Sequence, residues 1–397
     1  MDTTKFEQLA TPCFILDEKN LEESVVGFRT ALSDNFTSSI LGYSVKTNSF
    51  PYLIKKMCEM GVYPEVVSHD EYQLAKRCGA SSSHIIYNGP MKSKETFLEA
   101  IQNNAIVNIE TKRELSWLHN LPQNEEFHVG IRLNINISRV SKDDADGDND
   151  NSRFGFSDET KEFSNAIEYI KQLPNITLSG LHIHRTTHSR SVQFYKRSIE
   201  YAAKTIKKYN LRLDYLDVGG GYFGIFKNKP TYQDYSDAFY STMKEYGLEN
   251  MTIIVEPGNA LIASPFSFLS EVIDTKNVEN DLHFITTDGS RNDIDPFFKK
   301  SDYIKDVLYN SFTSKIVKEQ IITGCTCLEY DRMFTLNNSK LLKVGDRILY
   351  KNVGAYTMCL SPLFIRYIPN VYLLKDGQYT LIREKWTENE YIQKSKI

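Results

Sequence analysis

The residues best suited to covalent and acid–base chemistry stand at the ends of short apolar runs. Lys46 ends one run, His184 a second and three glycines at 219–221 a third, while Glu256 closes a fourth. A lysine amine can form an imine with an aldehyde, and bare glycine amides can hold a phosphate. Burying an ammonium group costs several kcal/mol unless its charge is compensated, so Lys46 needs a partner or a covalent role.

The elements that carry these residues repeat in one pattern between residues 38 and 258. Eight β-rich runs alternate with polar segments of helical spacing, which predicts parallel strands covered on the outside by helices. An α/β fold of this kind is a (β/α)8 TIM barrel, whose site lies at the C-terminal ends of the strands. The runs are 38–46, 62–68, 84–89, 105–110, 127–134, 177–184, 213–221 and 251–258.

The remainder of the chain has a different rhythm. Its β-rich runs have little helix between them, and "KDGQ" is a hairpin turn signal, so a second, mostly antiparallel β domain is predicted. The opening run 12–17 can join that domain. We therefore predict a barrel domain over residues 18–262 and a discontinuous β domain over residues 1–17 and 263–397. The polar segment 138–153 is predicted to be a mobile surface loop.

Composition and charge narrow the class of protein. The 397 residues are 41% apolar and carry a formal net charge of −4 without a basic block, which argues against a nucleic-acid partner. The N-terminus lacks the features of a signal peptide and no long apolar run occurs, so a soluble cytoplasmic protein without a membrane partner is expected. Six scattered cysteines fit reduced thiols. Cys325 and Cys327 form only C-x-C, so no metal site is predicted.

Together, the strand-end residues match the needs of pyridoxal phosphate. Lys46 can bind its aldehyde, the glycine turn its phosphate, and Glu256 can keep its pyridine nitrogen protonated, which strengthens the electron sink. His184 can stack on the ring. Each residue alone has a simpler explanation, as an ion-paired side chain, a structural histidine or a tight turn. Their joint placement favours the cofactor.

Nine short motifs run along the chain in order: "ATPCFILD" (10–17), "YSVKTN" (43–48), "VVSHDE" (66–71), "SRFGF" (152–156), "GLHIH" (180–184), "LDVGGGY" (216–222), "EPGNA" (256–260), "GCTCLEYD" (324–331) and "VGAYTM" (353–358). In this order they resemble the fold type III pyridoxal phosphate decarboxylases, which include diaminopimelate, ornithine and arginine decarboxylases. The resemblance implies an alanine racemase-like barrel with a β domain, and an enzyme that removes carbon dioxide from an amino acid.

The resemblance also implies roles for individual residues. Lys46 tethers the cofactor, Glu256 pairs with its pyridine nitrogen, and His184 stacks on its ring. Cys327 supplies a proton and, with Tyr356, reaches across a head-to-tail homodimer, so active sites shared across the interface are expected. Lys46, His184, Glu256 and Cys327 form the implied catalytic set. The implied cofactor-binding residues are Lys46, His184, Thr187, Gly219, Gly220, Gly221, Glu256, Gly258, Tyr356 and Arg132.

Three positions depart from diaminopimelate decarboxylases at residues that the resemblance ties to the distal end of that substrate. Asn259 and Asp295 stand where arginines are expected, and Leu328 stands where an acidic residue follows the cysteine. Losing these groups removes the charges that clamp a distal carboxylate and amine. Glu329 and Arg291 are further candidates for substrate binding. We therefore expect the small-molecule substrate to be an amino acid or amino-acid conjugate other than diaminopimelate, used in a specialised biosynthetic pathway.

Three other functions stay open: a diaminopimelate decarboxylase of lysine biosynthesis, a fold type III amino-acid racemase, and an inactive regulatory homologue. The "GCTCLEYD" motif argues against a racemase, because that reaction uses a tyrosine as the second base. Retention of Lys46, the glycine turn, Glu256 and Cys327 argues against an inactive homologue.

Overall fold

The chain folds into two compact units. One contains residues 24–261, and the other contains the described residues up to Glu23 together with those from Ile262 onward. The computed structural model describes residues 6–147, 150–185, 187–279, 281–310, 314–361 and 363–396. Within these residues, no helix is both long and apolar enough to cross a membrane.

The strands form two sheets, and each sheet belongs to one unit. In chain order, the strands of the described residues are β1 (Cys13–Asp17), β2 (Ser39–Ser44), β3 (Tyr63–Ser68), β4 (Ile86–Met91), β5 (Ile106–Ile109), β6 (Phe127–Asn134), β7 (Phe156–Ser157), β8 (Ile176–His182), β9 (Tyr215–Asp217), β10 (Thr252–Val255), β11 (Phe266–Glu279), β12 (Leu282–Thr287), β13 (Lys305–Leu308), β14 (Ile316–Thr323), β15 (Arg332–Lys340), β16 (Arg347–Lys351), β17 (Asn370–Lys375) and β18 (Gln378–Arg383).

Eight of these strands close into a parallel barrel within the described part of residues 24–261. The order around the ring is β2, β3, β4, β5, β6, β8, β9 and β10, and β10 pairs back with β2. The two-residue strand β7 adds to the end of β6. The predicted α/β fold, a (β/α)8 TIM barrel, is therefore confirmed.

Helices follow the barrel strands, and several begin at a serine or threonine cap. The side chains of Ser68, Ser93 and Ser191 each accept a hydrogen bond from an N–H of the first turn that has no partner inside the helix. The helices of the described residues are α1 (Glu18–Ser33), α2 (Pro51–Glu59), α3 (His69–Arg77), α4 (Lys94–Gln102), α5 (Lys112–Trp117), α6 (Ile137–Val140), α7 (Glu162–Lys171), α8 (Val192–Lys208), α9 (Tyr232–Glu245), α10 (Asn259–Ile262), α11 (Arg291–Ile294), α12 (Thr357–Leu360) and α13 (Glu388–Ile392).

The second sheet is mostly antiparallel, as predicted. Its longest strand, β11, pairs antiparallel with β1, β12 and β16, while the pairs β1–β17 and β12–β14 are parallel. The opening strand β1 thus lies between β11 and β17. Part of the core of this unit consists of Leu9, Cys13, Ile15, Leu269, Leu308 and Leu349.

The segment 138–153 has more structure than its polarity predicted. Residues 148 and 149 lie outside the described residues, but the rest includes the end of α6 and a short 3-10 helix, Lys142–Asp144. Asp144 accepts a hydrogen bond from Ser191 Oγ at 3.0 Å, and Asp150 forms an ion pair with Arg185. Its charged groups find partners near the start of α8, which a count of polar residues does not reveal.

Candidate active site

Lys46 lies in a 3-10 turn, Val45–Thr47, after β2 ends at Ser44, and not on the strand itself as predicted. Its Nζ donates a hydrogen bond to Oε2 of Glu65 at 2.9 Å, which forms an ion pair. Glu65 lies on β3 and is buried, and its carboxylate also accepts hydrogen bonds from Ser44 Oγ and Asn88 Nδ2. The lysine charge is thus compensated, while 37% of its side chain stays exposed.

A line of buried polar side chains crosses the barrel from Glu65 to Asp217. Asn88 Nδ2 donates to Glu65 at 3.1 Å and to Oε1 of Glu256 at 2.5 Å. Asn108 Nδ2 donates to Asn88 Oδ1 at 2.9 Å and to Asp217 Oδ2 at 3.3 Å. Because these residues lie on or directly after five different strands, the network fixes their carboxylates relative to one another without a ligand.

The glycine-rich turn after β9 depends on close approaches that a side chain would block. Gly219 and Gly221 have φ angles of +68° and +99°, and a Cβ on Gly219 would collide with His184. Two amides of the turn serve the chain itself: Gly219 N–H donates to Asp217 Oδ1 at 2.9 Å, and Gly220 N–H to His184 Nδ1 at 3.1 Å. Within the described chain, the Gly221 N–H has no acceptor, so this amide is the one left for a phosphate.

His184 is held through both its ring and its backbone. While Nδ1 accepts the Gly220 N–H, the His184 carbonyl accepts a hydrogen bond from Arg132 Nη2 at 3.1 Å. Arg132 also forms an ion pair with buried Glu110. Burial lowers the pKa of His184 well below its ordinary value, and the positive charges of Arg132 and Lys46 lower it further. The imidazole is therefore neutral, which suits a ring that stacks on a cofactor.

Three further predicted residues belong to the barrel unit. Thr187 is buried, and its Oγ1 accepts a hydrogen bond from Arg190 N–H at 3.1 Å. Gly258 packs so closely on Thr47 that a Cβ would collide with that side chain, which brings the segment after Glu256 beside the Lys46 turn. Asn259 is the first residue of α10.

The barrel residues fit pyridoxal phosphate. Lys46 offers an accessible amine for the aldehyde, and Glu256 offers a buried carboxylate for the pyridine nitrogen. The turn that only glycines can form suits the phosphate. His182 adds an unsatisfied group: within the described residues neither ring nitrogen has a hydrogen-bond partner. Its Nε2 lies 3.6 Å from Glu256 Oε2, which is longer than a hydrogen bond.

The remaining predicted residues lie in the unit that contains the mostly antiparallel sheet, called the β unit below. Cys327 is exposed on the loop between β14 and β15. Buried Asp331 braces this loop by accepting hydrogen bonds from Ser290 Oγ at 3.1 Å, Arg291 N–H at 2.8 Å and Thr326 Oγ1 at 2.6 Å. The loop that carries Cys327 is therefore anchored at its base and open at its tip.

The other residues predicted around Cys327 differ in exposure. Leu328 is half-buried, whereas the side chain of Glu329 is 99% exposed. Tyr356 has a φ of +66° and packs edge-on against Phe297, with ring centroids 5.9 Å apart. A positive φ at a tyrosine is a strained backbone conformation, of the kind that clusters at functional sites.

Asp295 does not fit its predicted role as a receptor for a substrate cation. Only 4% of the residue is exposed, and Oδ2 pairs with Arg291 Nη2 at 3.1 Å and accepts the Lys300 N–H at 2.8 Å. Oδ1 accepts the Lys299 N–H at 3.2 Å. Both oxygens already hold the segment 291–300 together, and the same ion pair occupies Arg291.

No role was predicted for five buried polar residues of the barrel strands: Glu65, Asn88, Asn108, His182 and Asp217. The signal for them was present in the sequence, because each stands next to apolar residues within or at the end of a strand. A polar group in a buried strand must find a partner, and a barrel interior offers partners on other strands.

The fold and these residues define a barrel enzyme built around pyridoxal phosphate. The model of the family described as pyridoxal-dependent decarboxylase, pyridoxal binding domain, matches residues 21–263, more than half of the chain. The chain belongs to that family, as its motifs predicted. It is a fold type III enzyme that depends on pyridoxal 5'-phosphate, and its reaction class is that of the carboxy-lyases, which decarboxylate amino acids.

Relatives extend over nearly the whole chain. The chain is 24% identical over 400 residues to the diaminopimelate decarboxylase of Aquifex aeolicus, which covers 96% of this chain and 90% of that protein. It is 23% identical over 392 residues to the diaminopimelate decarboxylase of Staphylococcus aureus, and this match covers 94% of this chain and 90% of that protein. The crystal structure of diaminopimelate decarboxylase from M. jannaschii has a TM-score of 0.86 at 21% identity, covering 100% of this chain and 94% of that one. At this identity the likeness shows the fold.

Proposed function

We propose that this enzyme decarboxylates an amino acid or amino-acid conjugate other than diaminopimelate, in a specialised biosynthetic pathway. Asn259 carries the proposal, because it places a neutral amide at the start of α10, where the resemblance to diaminopimelate decarboxylases leads one to expect an arginine. An amide cannot form the bidentate charge-assisted pair that an arginine offers to a carboxylate. Leu328, which is neutral where an acid is expected, supports the same conclusion.

The barrel residues have the following proposed roles. Lys46 is the amine that tethers the cofactor, and Glu65 holds its Nζ in place. Glu256 is the anion for the pyridine nitrogen. When bound, pyridoxal phosphate supplies the electron sink for the Cα–carboxylate bond that breaks. The other residues assigned to the cofactor are His184 at the ring, Arg132 behind it, and Thr187, Gly219, Gly220, Gly221, Gly258 and Tyr356 at the phosphate.

Cys327 is the proposed proton donor, and we assign it to a site on a second copy of the chain. Its thiol lies on an exposed loop braced by Asp331, so another surface can cover it. In the proposed homodimer, Cys327 and Tyr356 of one copy complete the barrel site of the other. The barrel domain, 18–262, then binds the cofactor, and the discontinuous β domain supplies the proton. A cytoplasmic location stays a prediction.

Substrate recognition is assigned to fewer residues than the sequence suggested. Asp295 and Arg291 neutralise each other, so neither charge is left for a ligand. Asn259, Leu328 and Glu329 remain, and Glu329 is the exposed charge among them. This set favours a substrate whose distal end does not carry the paired amine and carboxylate of diaminopimelate.

Carbon dioxide release from a panel of free, acylated and carrier-bound amino acids tests this proposal. We expect the best substrate to exceed meso-diaminopimelate by at least about a hundredfold in kcat/KM. Asn259→Arg is the matched variant. It should reduce the ratio of the two kcat/KM values, because the new arginine can pair with the distal carboxylate of diaminopimelate. A wild-type enzyme that prefers meso-diaminopimelate to every other compound would contradict the proposal.

Decarboxylation of diaminopimelate is the second candidate, because the relatives from Aquifex aeolicus and Staphylococcus aureus are named for it. The same panel decides between the two. Inversion of an amino acid without carbon dioxide release would instead indicate a racemase. Failure to bind pyridoxal phosphate would indicate an inactive homologue.

A further inference from the structure

Two buried carboxyl groups, Asp217 and Glu256, lie side by side in the barrel. Asp217 ends β9 and is 0% exposed, while Glu256 follows β10 and is 4% exposed. One oxygen of each and one ring nitrogen of His182 all lie within 4.8 Å of one another. Two buried carboxylates this close repel each other, and a proton on one of them would allow a hydrogen bond between them, since a carboxylate only accepts.

The titratable groups that face this pair come from several barrel strands. Glu65 adds a third carboxylate from β3, and Lys46 adds a positive charge that is already bonded to Glu65. His182 faces the pair from β8, and Tyr215 lies on the same strand as Asp217. Glu65, Asp217 and Glu256 repel one another in a dry site that holds only Lys46 and His182 against them among the described groups named here, so protonating one carboxylate relieves the repulsion.

The hydrogen bonds distinguish the two members. Glu256 Oε1 accepts a short 2.5 Å hydrogen bond from Asn88, whereas the hydrogen bond from Asn108 to Asp217 Oδ2 is longer, at 3.3 Å. Burial raises the pKa of Asp217 well above its ordinary value, and the negative Glu256 raises it further. Burial also acts to raise the pKa of Glu256, but neighbouring His182 and the positive charge of Lys46 act against burial, and the pKa of Glu256 is lowered.

We propose that Asp217 stays protonated as a positioning residue, and that its O–H bonds to Glu256 and leaves Glu256 as the single anion for the pyridine nitrogen. The inference rests on the role proposed for Glu256. It deepens that role, because one anion matches one protonated ring nitrogen, whereas two would leave a charge uncompensated. Oδ1 of Asp217 also holds the Gly219 N–H, so the same residue orients the glycine turn.

The apoprotein tests this inference without any activity. A carboxyl group whose folded pKa is raised takes up a proton on folding, so its contribution to stability is complete below the unfolded value of about 3.9 and is lost as pH rises. In the wild type, the free energy of unfolding should therefore decline as pH rises, with an added slope that corresponds to the uptake of up to one proton on folding. Asp217→Asn keeps the shape and removes the proton, so it should flatten that slope between about pH 5 and pH 9.

Asp214→Asn is the matched control, because Asp214 is an exposed aspartate three residues earlier. It should leave the slope unchanged. An Asp217→Asn slope equal to that of the wild type would overturn the inference, since it would mean that Asp217 is ionised. The proposed function is tested by turnover, whereas this inference is tested by the pH dependence of stability in the apoprotein. If the proposed function is wrong, the stability result still stands.

Infrared spectroscopy gives a second reading if Asp217→Asn does not fold. A protonated carboxylic acid has a carbonyl band distinct from that of a carboxylate. Burial raises the pKa of Glu71 to about 7, so the measurement uses Glu71→Gln apoprotein at about pH 8 to remove that group. We expect the acid band to persist there, and its absence would overturn the inference.

Discussion

The barrel mouth and the cysteine loop hold their reactive residues in opposite ways. In the barrel, Glu65, Asp217 and Glu256 are buried and linked through Asn88 and Asn108. In the β unit the base of the loop is buried, but Cys327 and Glu329 at its tip are exposed. A buried network orients charge in advance, whereas an exposed loop gains a defined environment only when another surface covers it. Substitutions in the two regions should therefore fail differently.

Lys46→Ala tests the barrel side and should have the largest effect. Without the amine there is no covalent tether, so turnover should fall by at least about a thousandfold. The long-wavelength absorbance of the bound cofactor should disappear. Lys55→Ala, an exposed lysine on α2, is the control and should keep both properties. Persistence of that absorbance in Lys46→Ala would mean that another lysine serves.

Cys327→Ala tests the loop side. Loss of a general acid should lower kcat by about a hundredfold while the cofactor absorbance is retained. Cys325→Ala, two residues away and partly buried, is the matched control and should remain active. Unchanged turnover in Cys327→Ala would remove its assigned role.

Mixing Lys46→Ala with Cys327→Ala tests whether the barrel of one copy and the cysteine loop of another form one active site. Random exchange of chains leaves one intact site in each mixed dimer, so up to about a quarter of wild-type activity should return. If mixed dimers form but remain inactive, the sites are not shared between copies.

Asp331→Ala tests the buried base of the loop. The change leaves the Arg291 N–H and the hydroxyls of Ser290 and Thr326 without their acceptor, so the free energy of unfolding should fall by about 3 kcal/mol. Asp331→Asn keeps the shape and part of the bonding, and should cost less. Chemical denaturation measures both, and equal stability of Asp331→Ala and the wild type would show that the loop is held by other contacts.

Glu329→Ala should have the smallest effect on the fold. Its side chain is almost wholly exposed, so the denaturation midpoint should not move. A change in KM for the best substrate, with kcat retained, would assign this residue to recognition. Unchanged KM for all substrates would remove it from the site.

Sequence reasoning located the tethering lysine, the glycine turn and the pyridine carboxylate because each sits in a local motif at a strand end. It did not find Asp217, whose side-chain partner Asn108 is 109 residues away. It also did not find Glu65, whose partners Lys46 and Asn88 lie outside its own strand. It also assigned Asp295 to a substrate, whereas the folded chain uses that carboxylate to hold its own backbone.

The sequence by itself determined the two kinds of sheet, the cofactor and the reaction class, because strand periodicity and short motifs are local properties. Only the tertiary structure decided which buried groups meet. Closing eight strands into a ring brings Lys46 to Glu65 and Asp217 to Glu256. The charge state of each carboxylate then depends on neighbours that the barrel supplies, since buried charges interact strongly over short distances and are little screened by solvent.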